Sequence, residues 1–364
     1  MRVSELDTPA IVIDLDVMEA NLRRVADYAR EHDLRLRPHT KTHKIPALGR
    51  KQVELGAVGL TVAKVGEAEV MVDSGTPDLL VAYPVIGHGK LMRLMEVARK
   101  TRVTVGLDNM VAARQLSDAA RGAQIEVGVL AETDVGLNRV GVTPGDELVE
   151  LAKCIRNLPH LRLEGVTFYP GHIKMADGPS AGEIAKLSAL VHEIIRRFRT
   201  EGLPIGVVSG GSTPALFQSH EVKGLTEIRP GTYIFNDRNT VELGACRWED
   251  CAASILTTVV STARPEQMIL DGGSKTFSTD RLATGGEGFG LVREAPGAVF
   301  AKMNEEHGYV DLRRSERRDF EVGDRVQVIP NHICVAMNLH EQVYGARGGQ
   351  VEVVWKVEGR GKLQ

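Results

Sequence analysis

Three short stretches carry side chains capable of chemistry. The first, "LRLRPHTKTHKIP" (34–46), crowds Arg37, His39, Lys41, His43 and Lys44 together. A lysine among like charges has its charged form disfavoured, and a neutral amine is what Schiff-base chemistry requires. A basic loop in water is the plainer alternative. The second, "SGGSTPALF" (209–217), has two glycines, Gly210 and Gly211, that let the backbone approach a ligand. Ser212 and Thr213 add hydroxyls at what reads as a helix N-terminus, where backbone N–H groups form a phosphate cradle. A tight strand-to-helix turn with Ser212 as N-cap uses the same residues. The third, "PNHICVAMNLHE" (330–341), sets His332 and Cys334 two apart. On a strand both would face one side, as zinc ligands can. Two ligands are too few for a closed structural site, but they leave positions open for substrate oxygen and water. A core cysteine beside a buried histidine is the alternative.

The elements that must position these residues follow a regular beat. "AIVID" (10–14) precedes a helical stretch in which Met18, Leu22, Val25 and Ala29 recur at helical spacing. From 34–37 onward, eight β-branched runs, the last being "TEIRPG" (226–231), alternate with helical sequence. Alternating βα units imply a parallel sheet, and eight in about 200 residues favour a (β/α)8 barrel, with 10–14 outside the ring. No G-x-G-x-x-G follows the first strand, which weakens a dinucleotide-binding reading. After about residue 240 the runs become β-like with Gly and Asp turns, so the expected division is a barrel over 10–240 and a mostly antiparallel β domain over 241–364 with residues 1–9.

In such a barrel, functional groups lie just past the C-terminal ends of the strands. This sequence places His39, Lys41, Tyr83, Asp134, Arg139, Tyr169, His172, the "SGGSTP" loop, and "RPGTY" with Gly231 and Tyr233 at those positions. An amine and a phosphate cradle on one rim suggest pyridoxal phosphate.

Composition limits the alternatives. The chain has 364 residues, 43% hydrophobic and 26% charged, with a formal net charge of −3. That balance gives no reason to expect nucleic acid or a membrane surface as partner. The apolar runs are shorter than the roughly 20 residues of a membrane span, and no secretory signal is visible. Four cysteines (Cys154, Cys246, Cys251, Cys334) do not make a disulfide framework, so a reducing cytoplasm is the default expectation.

The order of lysine motif, glycine–serine loop and late H-x-C resembles the fold-type III pyridoxal-phosphate enzymes, specifically the D-threonine aldolase and D-serine dehydratase group. The resemblance runs from "DTPAIVIDLDVMEANL" through "RPHTKTHK", "VGLNRVGV", "SGGSTP", "EIRPGTYIFND" and "LDGGSKTFSTD" to "PNHICVAMNLHE". It implies that Lys41 forms the Schiff base, that Arg139 faces the pyridine nitrogen, that Tyr169 contacts the cofactor, and that His332 and Cys334 bind a divalent metal, Zn2+ or Mn2+. Ser209, Gly210, Gly211, Ser212, Thr213, Gly231 and Tyr233 are the remaining expected cofactor contacts.

An arginine stays protonated and cannot give its proton to the ring, so the cofactor would be a weaker electron sink and a metal on the substrate β-hydroxyl a useful second activator. The expected activity is cleavage of small D-β-hydroxy-α-amino acids to glycine and an aldehyde. D-Serine dehydration to pyruvate and ammonia, and metal-independent racemisation, are the alternatives. Some aldolases carry an acid where Cys334 stands. His172 is the candidate for orienting a base or water, although a histidine closing a Y-P-G-H turn can bond backbone instead. His39, His43, Glu305, Glu306, His307, Asp271, Ser274 and Asp280 are left without assigned roles, and Lys44 reads as background charge. The family implies a symmetric homodimer.

Overall fold

The computed structural model describes residues 1–174 and 179–364. β1 (Ala10–Asp14) leads into α1 (Leu15–Glu31), whose first turn is capped by Asp14 Oδ1 accepting from the backbone N–H of Asp16 and Val17. Met18, Leu22, Val25 and Ala29 are all buried, as their spacing requires. The repeating units follow as β2 (Arg35–Leu36), α2 (Pro46–Glu54), β3 (Leu60–Val62), α3 (Val65–Met71), β4 (Asp78–Val81), α4 (His88–Ala98), β5 (Arg102–Leu107), α5 (Met110–Ala123), β6 (Val127–Glu132), α6 (Asp146–Asn157), β7 (Leu161–Thr167), α7 (Pro179–Thr200), β8 (Val207–Gly210) and β9 (Glu227–Ile228). The β unit continues with α8 (Arg238–Glu242), β10 (Ala253–Ser261), β11 (Gln267–Leu270), α9 (Ser274–Phe277), β12 (Gly290–Val292), β13 (Val299–Met303), β14 (Gly308–Asp311), β15 (Arg325–Pro330), α10 (Ile333–Leu339), β16 (Gln342–Arg347) and β17 (Gln350–Lys356).

β2 to β9 form one parallel sheet in the order β2-β9-β8-β7-β6-β5-β4-β3. Its two ends meet. The N–H groups of Val58 and Thr61 donate to Leu36 O and Pro38 O, and His39 bridges Thr61 in parallel register, closing the expected barrel. The strands β3, β4 and β6 are buried at every position, which is why they read as continuous apolar runs. Sequence-local signals set the outer helices. In α5, Asn109 Oδ1 caps Ala112 N at 2.8 Å, and Ala112, Ala113, Leu116 and Ala120 form the buried stripe.

The barrel interior also holds ions. Arg37 Nε lies 2.9 Å from Glu227 Oε2, and its Nη1 lies 3.0 Å from Asp78 Oδ1, with side-chain exposures of 9%, 1% and 11% respectively. Burial alone would lower the arginine, but the two carboxylates outweigh it and raise it, while burial pushes the Asp78 carboxyl up.

The second sheet is antiparallel except where β1 runs parallel to β16. β1 sits between β10 and β16, so it belongs to this sheet. By backbone contacts the chain divides into residues 1–23, 42–45 and 232–360, and residues 24–41, 46–231 and 361–364. This differs from a barrel over 10–240: the strand 10–14 and the segment 42–45 go with the β unit, and the change of unit falls at Thr232. The reason is pairing. β1 finds its hydrogen bonds on β10 and β16, partners 240 or more residues away, which no local pattern reports. Among the described residues, no helix is long and apolar enough to cross a membrane.

Candidate active site

Within the barrel unit, Lys41 lies in a 3-10 turn, Thr40–Thr42, directly after β2, with its side chain exposed. The turn is anchored to neighbouring strand ends. His39 N donates to Pro230 O at 2.9 Å, and Thr40 Oγ1 donates to Thr61 O at 3.1 Å. The backbone N–H of Lys41 reaches His39 Nδ1 at 3.4 Å.

The loop after β6 is shaped by one carboxylate. Asp134 Oδ1 accepts the backbone N–H of Gly136, Leu137 and Asn138 at 3.0–3.2 Å. Gly141 has φ +104 and packs against the backbone of Thr133 and Asp134, where any side chain would collide. The ring so formed presents Arg139 exposed, its guanidinium 4.8 Å from the centre of the Tyr169 ring. His172 packs against Gly136, and its buried Nδ1 has no hydrogen-bond partner among the described residues. The alternative of Nδ1 bonding to backbone is therefore not seen.

A second arginine was missed. Arg229, in the "RPG" after β9, is buried, and its Nη2 donates to Phe168 O at 2.9 Å. Burial lowers its basicity, opposed by Glu132 and Glu227. Glu132, at the end of β6, is itself pushed up by burial and pulled back by Arg229. Arg229 Nε and Thr167 Oγ1 are buried without hydrogen-bond partners among the described residues. Unmet donors at strand ends of one barrel, with His172 Nδ1, are the groups a polar anionic ligand satisfies, so these residues fit the expected cofactor. The signal in the sequence was an arginine at a strand end, in a motif read for its glycine and tyrosine. At the strand end that carries Tyr83, Lys64 Nζ stands 3.6 Å from the centre of its ring.

The "SGGSTP" loop differs from expectation in two ways. Ser209 is fully buried and donates to Glu227 Oε1 at 2.7 Å, so its hydroxyl serves the barrel interior rather than the rim. The helix that follows is a short 3-10 segment, Leu216–Glu221, whose N-cap is Ala215, not Ser212. Ser212 Oγ accepts from Ala215 N at 3.4 Å and stays local. Gly210 is required by Phe168, whose ring would lie 2.4 Å from an added Cβ, while Gly211 is held at φ +93. Ser212 and Thr213 are buried to 4% and 8% exposure. Gly231, the last barrel residue before the change of unit, is buried.

In the β unit, Tyr233 is buried in a 3-10 turn, Thr232–Ile234. His332 and Cys334 are not on a strand. β15 ends at Pro330; His332 is the N-cap of α10 and Cys334 lies in its first turn. A strand's period of two is replaced by a helix start, because the Asp237 carboxylate accepts the backbone N–H of Ile333 at 3.1 Å and stabilises a new N-terminus there. The two side chains nevertheless meet. Burial opposes charge on the His332 ring, but its hydrogen bond to Cys334, the Cys334 and Asp237 charges, and Asp280 together hold it up at about 10. So much negative charge around one ring is what a divalent cation would neutralise. Asp280 Oδ2 lies 2.7 Å from His332 Nδ1, leaving Nε2 as the nitrogen able to ligate. These residues fit a metal held by two protein ligands. Among the described residues no group of three or more His, Cys, Asp and Glu is arranged to hold one.

The unassigned residues also find places. Glu305 and Glu306 pair with Lys275 on the surface, at 3.2 and 2.8 Å. The turn ends at His307, whose carbonyl accepts from Asn304 N at 2.9 Å. Asp271 Oδ1 accepts from Thr258 N at 2.9 Å, and Ser274 starts α9. His43 is fully buried, its Nδ1 accepting from Ile45 N. Lys44 is not background charge: it is 6% exposed and donates to Asn338 Oδ1 at 2.7 Å.

Comparisons with known proteins agree with this architecture. Residues 13–239 match the family described as alanine racemase, N-terminal domain, and residues 252–346 match a putative serine dehydratase domain. The chain is 33% identical to a 3-hydroxy-D-aspartate aldolase from Paracoccus denitrificans, over 100% of this chain and 94% of that one. Among solved structures it resembles D-threonine aldolase from Filomicrobium marinum, with 31% identity, a TM-score of 0.92, and coverage of 100% and 98%. It also resembles D-threo-3-hydroxyaspartate dehydratase from Delftia sp. HT23, with 30% identity, a TM-score of 0.89, and coverage of 98% of each chain. The chain belongs to the alanine-racemase-like, fold-type III family of pyridoxal-phosphate-dependent lyases, in the group that contains the D-threonine aldolases and D-serine dehydratases.

Proposed function

We propose that the protein is a pyridoxal-phosphate- and divalent-metal-dependent aldolase that cleaves D-β-hydroxy-α-amino acids to glycine and an aldehyde. The observation that carries this reading is the His332–Cys334 pair with Asp280 on the far nitrogen of the imidazole, an open arrangement suited to a metal that also takes a substrate oxygen. The names of the Paracoccus and Filomicrobium relatives support the aldolase direction. A D-threo-3-hydroxyaspartate dehydratase mutant, 30% identical to this chain, is described in a metal-free form, which supports a metal among the relatives of this chain.

When bound, pyridoxal phosphate supplies an electron sink at the substrate Cα, and a divalent cation supplies a Lewis acid for the β-hydroxyl. The chain's own residues supply attachment, orientation and proton handling. Lys41 Nζ would attach the cofactor, and Tyr169, with the Arg139 guanidinium 4.8 Å from its ring centre, would contact it. Arg229 Nε and Thr167 Oγ1 offer unmet hydrogen bonds to the ligand. His172 Nδ1, also unpartnered, takes the proton of the β-hydroxyl as Cα–Cβ breaks. The electron pair of that bond is left on the Cα side, the proton taken from the hydroxyl is returned there to give glycine, and the β-carbon leaves as the aldehyde.

Dehydration is a second reading, favoured by the match of residues 252–346 to a serine dehydratase domain. One experiment separates the two. The purified protein is incubated with pyridoxal phosphate, zinc or manganese, and D-threonine, D-3-hydroxyaspartate or D-serine. Glycine with an aldehyde establishes the aldolase; a 2-oxo acid with ammonia establishes the dehydratase and removes the first reading. A Lys41→Ala protein that retains activity and visible absorbance overturns the attachment.

A further inference from the structure

Residues 42–45 are grouped with the β unit and are fastened to α10. Thr42 Oγ1 lies 3.2 Å from Cys334 Sγ. One helical turn further on, Asn338 Oδ1 receives the Lys44 ammonium at 2.7 Å, on the same face of α10 as Cys334. Lys44 is held in a left-handed conformation at φ +56, and its carbonyl accepts from Gly359 N at 2.9 Å. The segment is therefore tied to α10 and to Gly359 beside the sulfur. On a second segment, Thr232 Oγ1 lies 3.7 Å from the same Sγ.

Thr42 is fully buried. Placing a hydroxyl there, where valine has the same shape, is unfavourable unless the oxygen has a partner. Here the partner is Cys334 Sγ. A hydroxyl hydrogen rotates freely. While the sulfur holds its proton, the thiol donates to Thr42 Oγ1. A hydroxyl so placed can also donate to the sulfur, Thr42 from 3.2 Å and Thr232 from 3.7 Å. Asp280 holds His332 by an equivalent outer contact, so both ligands have one.

We propose that Thr42 and Thr232 are positioning residues for the metal, holding Cys334 Sγ through hydroxyl hydrogen bonds and setting the affinity and electronic character of the metal–sulfur bond. This rests on the reading that His332 and Cys334 bind a divalent cation. Thr42 directly follows Lys41 in the sequence, so one short motif supplies both the cofactor lysine and an outer contact of the metal ligand.

The test uses the full chain and Co2+, whose bond to a thiolate gives a sulfur-to-metal charge-transfer band. Affinity is measured by competition with a chelator at fixed pH. Thr42→Val is expected to weaken Co2+ binding by about tenfold or more and to shift the band. Thr42→Ser keeps the hydroxyl and is expected to retain both properties, and Thr232→Val is expected to show a smaller shift. Wild-type affinity and band position in Thr42→Val overturn the proposal. So does a Thr42→Ser protein as impaired as Thr42→Val, since the lost methyl would then be responsible. If Thr42→Val does not fold, Thr232→Val carries the test, and an unshifted band overturns the proposal. Undiminished Co2+ binding by Cys334→Ala is a separate outcome that brings down the metal reading itself.

Discussion

Asp280 and His332, 52 residues apart, meet at 2.7 Å through Oδ2 and Nδ1. A carboxylate on one imidazole nitrogen fixes the tautomer and points the other nitrogen outward, an arrangement characteristic of metal-ligating histidines. Removing the carboxylate should loosen the ring without removing the ligand. Asp280→Ala is expected to weaken Zn2+ or Mn2+ binding by about 10–100-fold. Chelator competition measures it, and unchanged affinity would exclude Asp280 from the proposed metal site.

Arg37 is a stability residue. Its partner Glu227 is 1% exposed, whereas Asp78 also has Arg102 at 3.6 Å. Arg37→Leu strands a buried carboxylate and is expected to cost about 3–5 kcal/mol in denaturant unfolding. A double variant, Arg37→Leu with Glu227→Leu, is expected to recover part of that loss, because no unpaired charge is left behind. Equal losses in the single and double variants contradict this account.

Among the described residues Arg229 has a buried Nε with no hydrogen-bond partner, as does Thr167 Oγ1 at the end of β7. If a ligand accepts from it, Arg229→Gln loses a charge-assisted hydrogen bond of about 1.5–3 kcal/mol, or roughly ten- to a hundredfold in pyridoxal-phosphate affinity. Titration of the apo-protein with cofactor, followed by visible absorbance, measures this. Near-UV circular dichroism confirms that the variant is folded. An unchanged dissociation constant assigns Arg229 to the barrel interior alone.

His340, at the C-terminal cap of α10, donates from Nε2 to Thr276 O at 3.2 Å. Burial lowers its basicity, the Thr276 carbonyl partly restores it, and Arg360 lowers it further. In the unfolded chain the imidazole takes a proton near pH 6.5. The folded state resists until lower pH, so the unfolded state binds more protons in between. This contribution to stability is complete above pH 6.5 and is lost as pH falls through the folded value. Urea unfolding between pH 6.5 and 5 is expected to show this decline, and His340→Gln to flatten it. An identical slope in the variant rules His340 out as its source.

Much of this protein is legible in its sequence because the relevant patterns are local. Buried parallel strands read as apolar runs, and helices between them read as stripes, so eight βα units and a change to β texture are visible without coordinates. Lys41 and the H-x-C pair stand out for the same reason: each is a short motif with a chemical reason for its residue types.

What tertiary structure alone decided is which partner each side chain meets. Ser209 and Arg229 both sit at strand ends, yet Ser209 turns inward to Glu227. Arg229 is buried, while Arg139 lies exposed on Tyr169. Barrel closure sets these outcomes, because it fixes the stagger between strands and so the level at which each side chain enters the interior. The strand period assigned to His332 and Cys334 failed because Asp237, 96 residues before Ile333, accepts its N–H where α10 begins. Lys44, Thr42 and Asp280 find their partners 52 to 294 residues away in sequence. A sequence names the residue types able to do chemistry, but folding brings together their partners, since hydrogen bonds and ion pairs form by proximity in space.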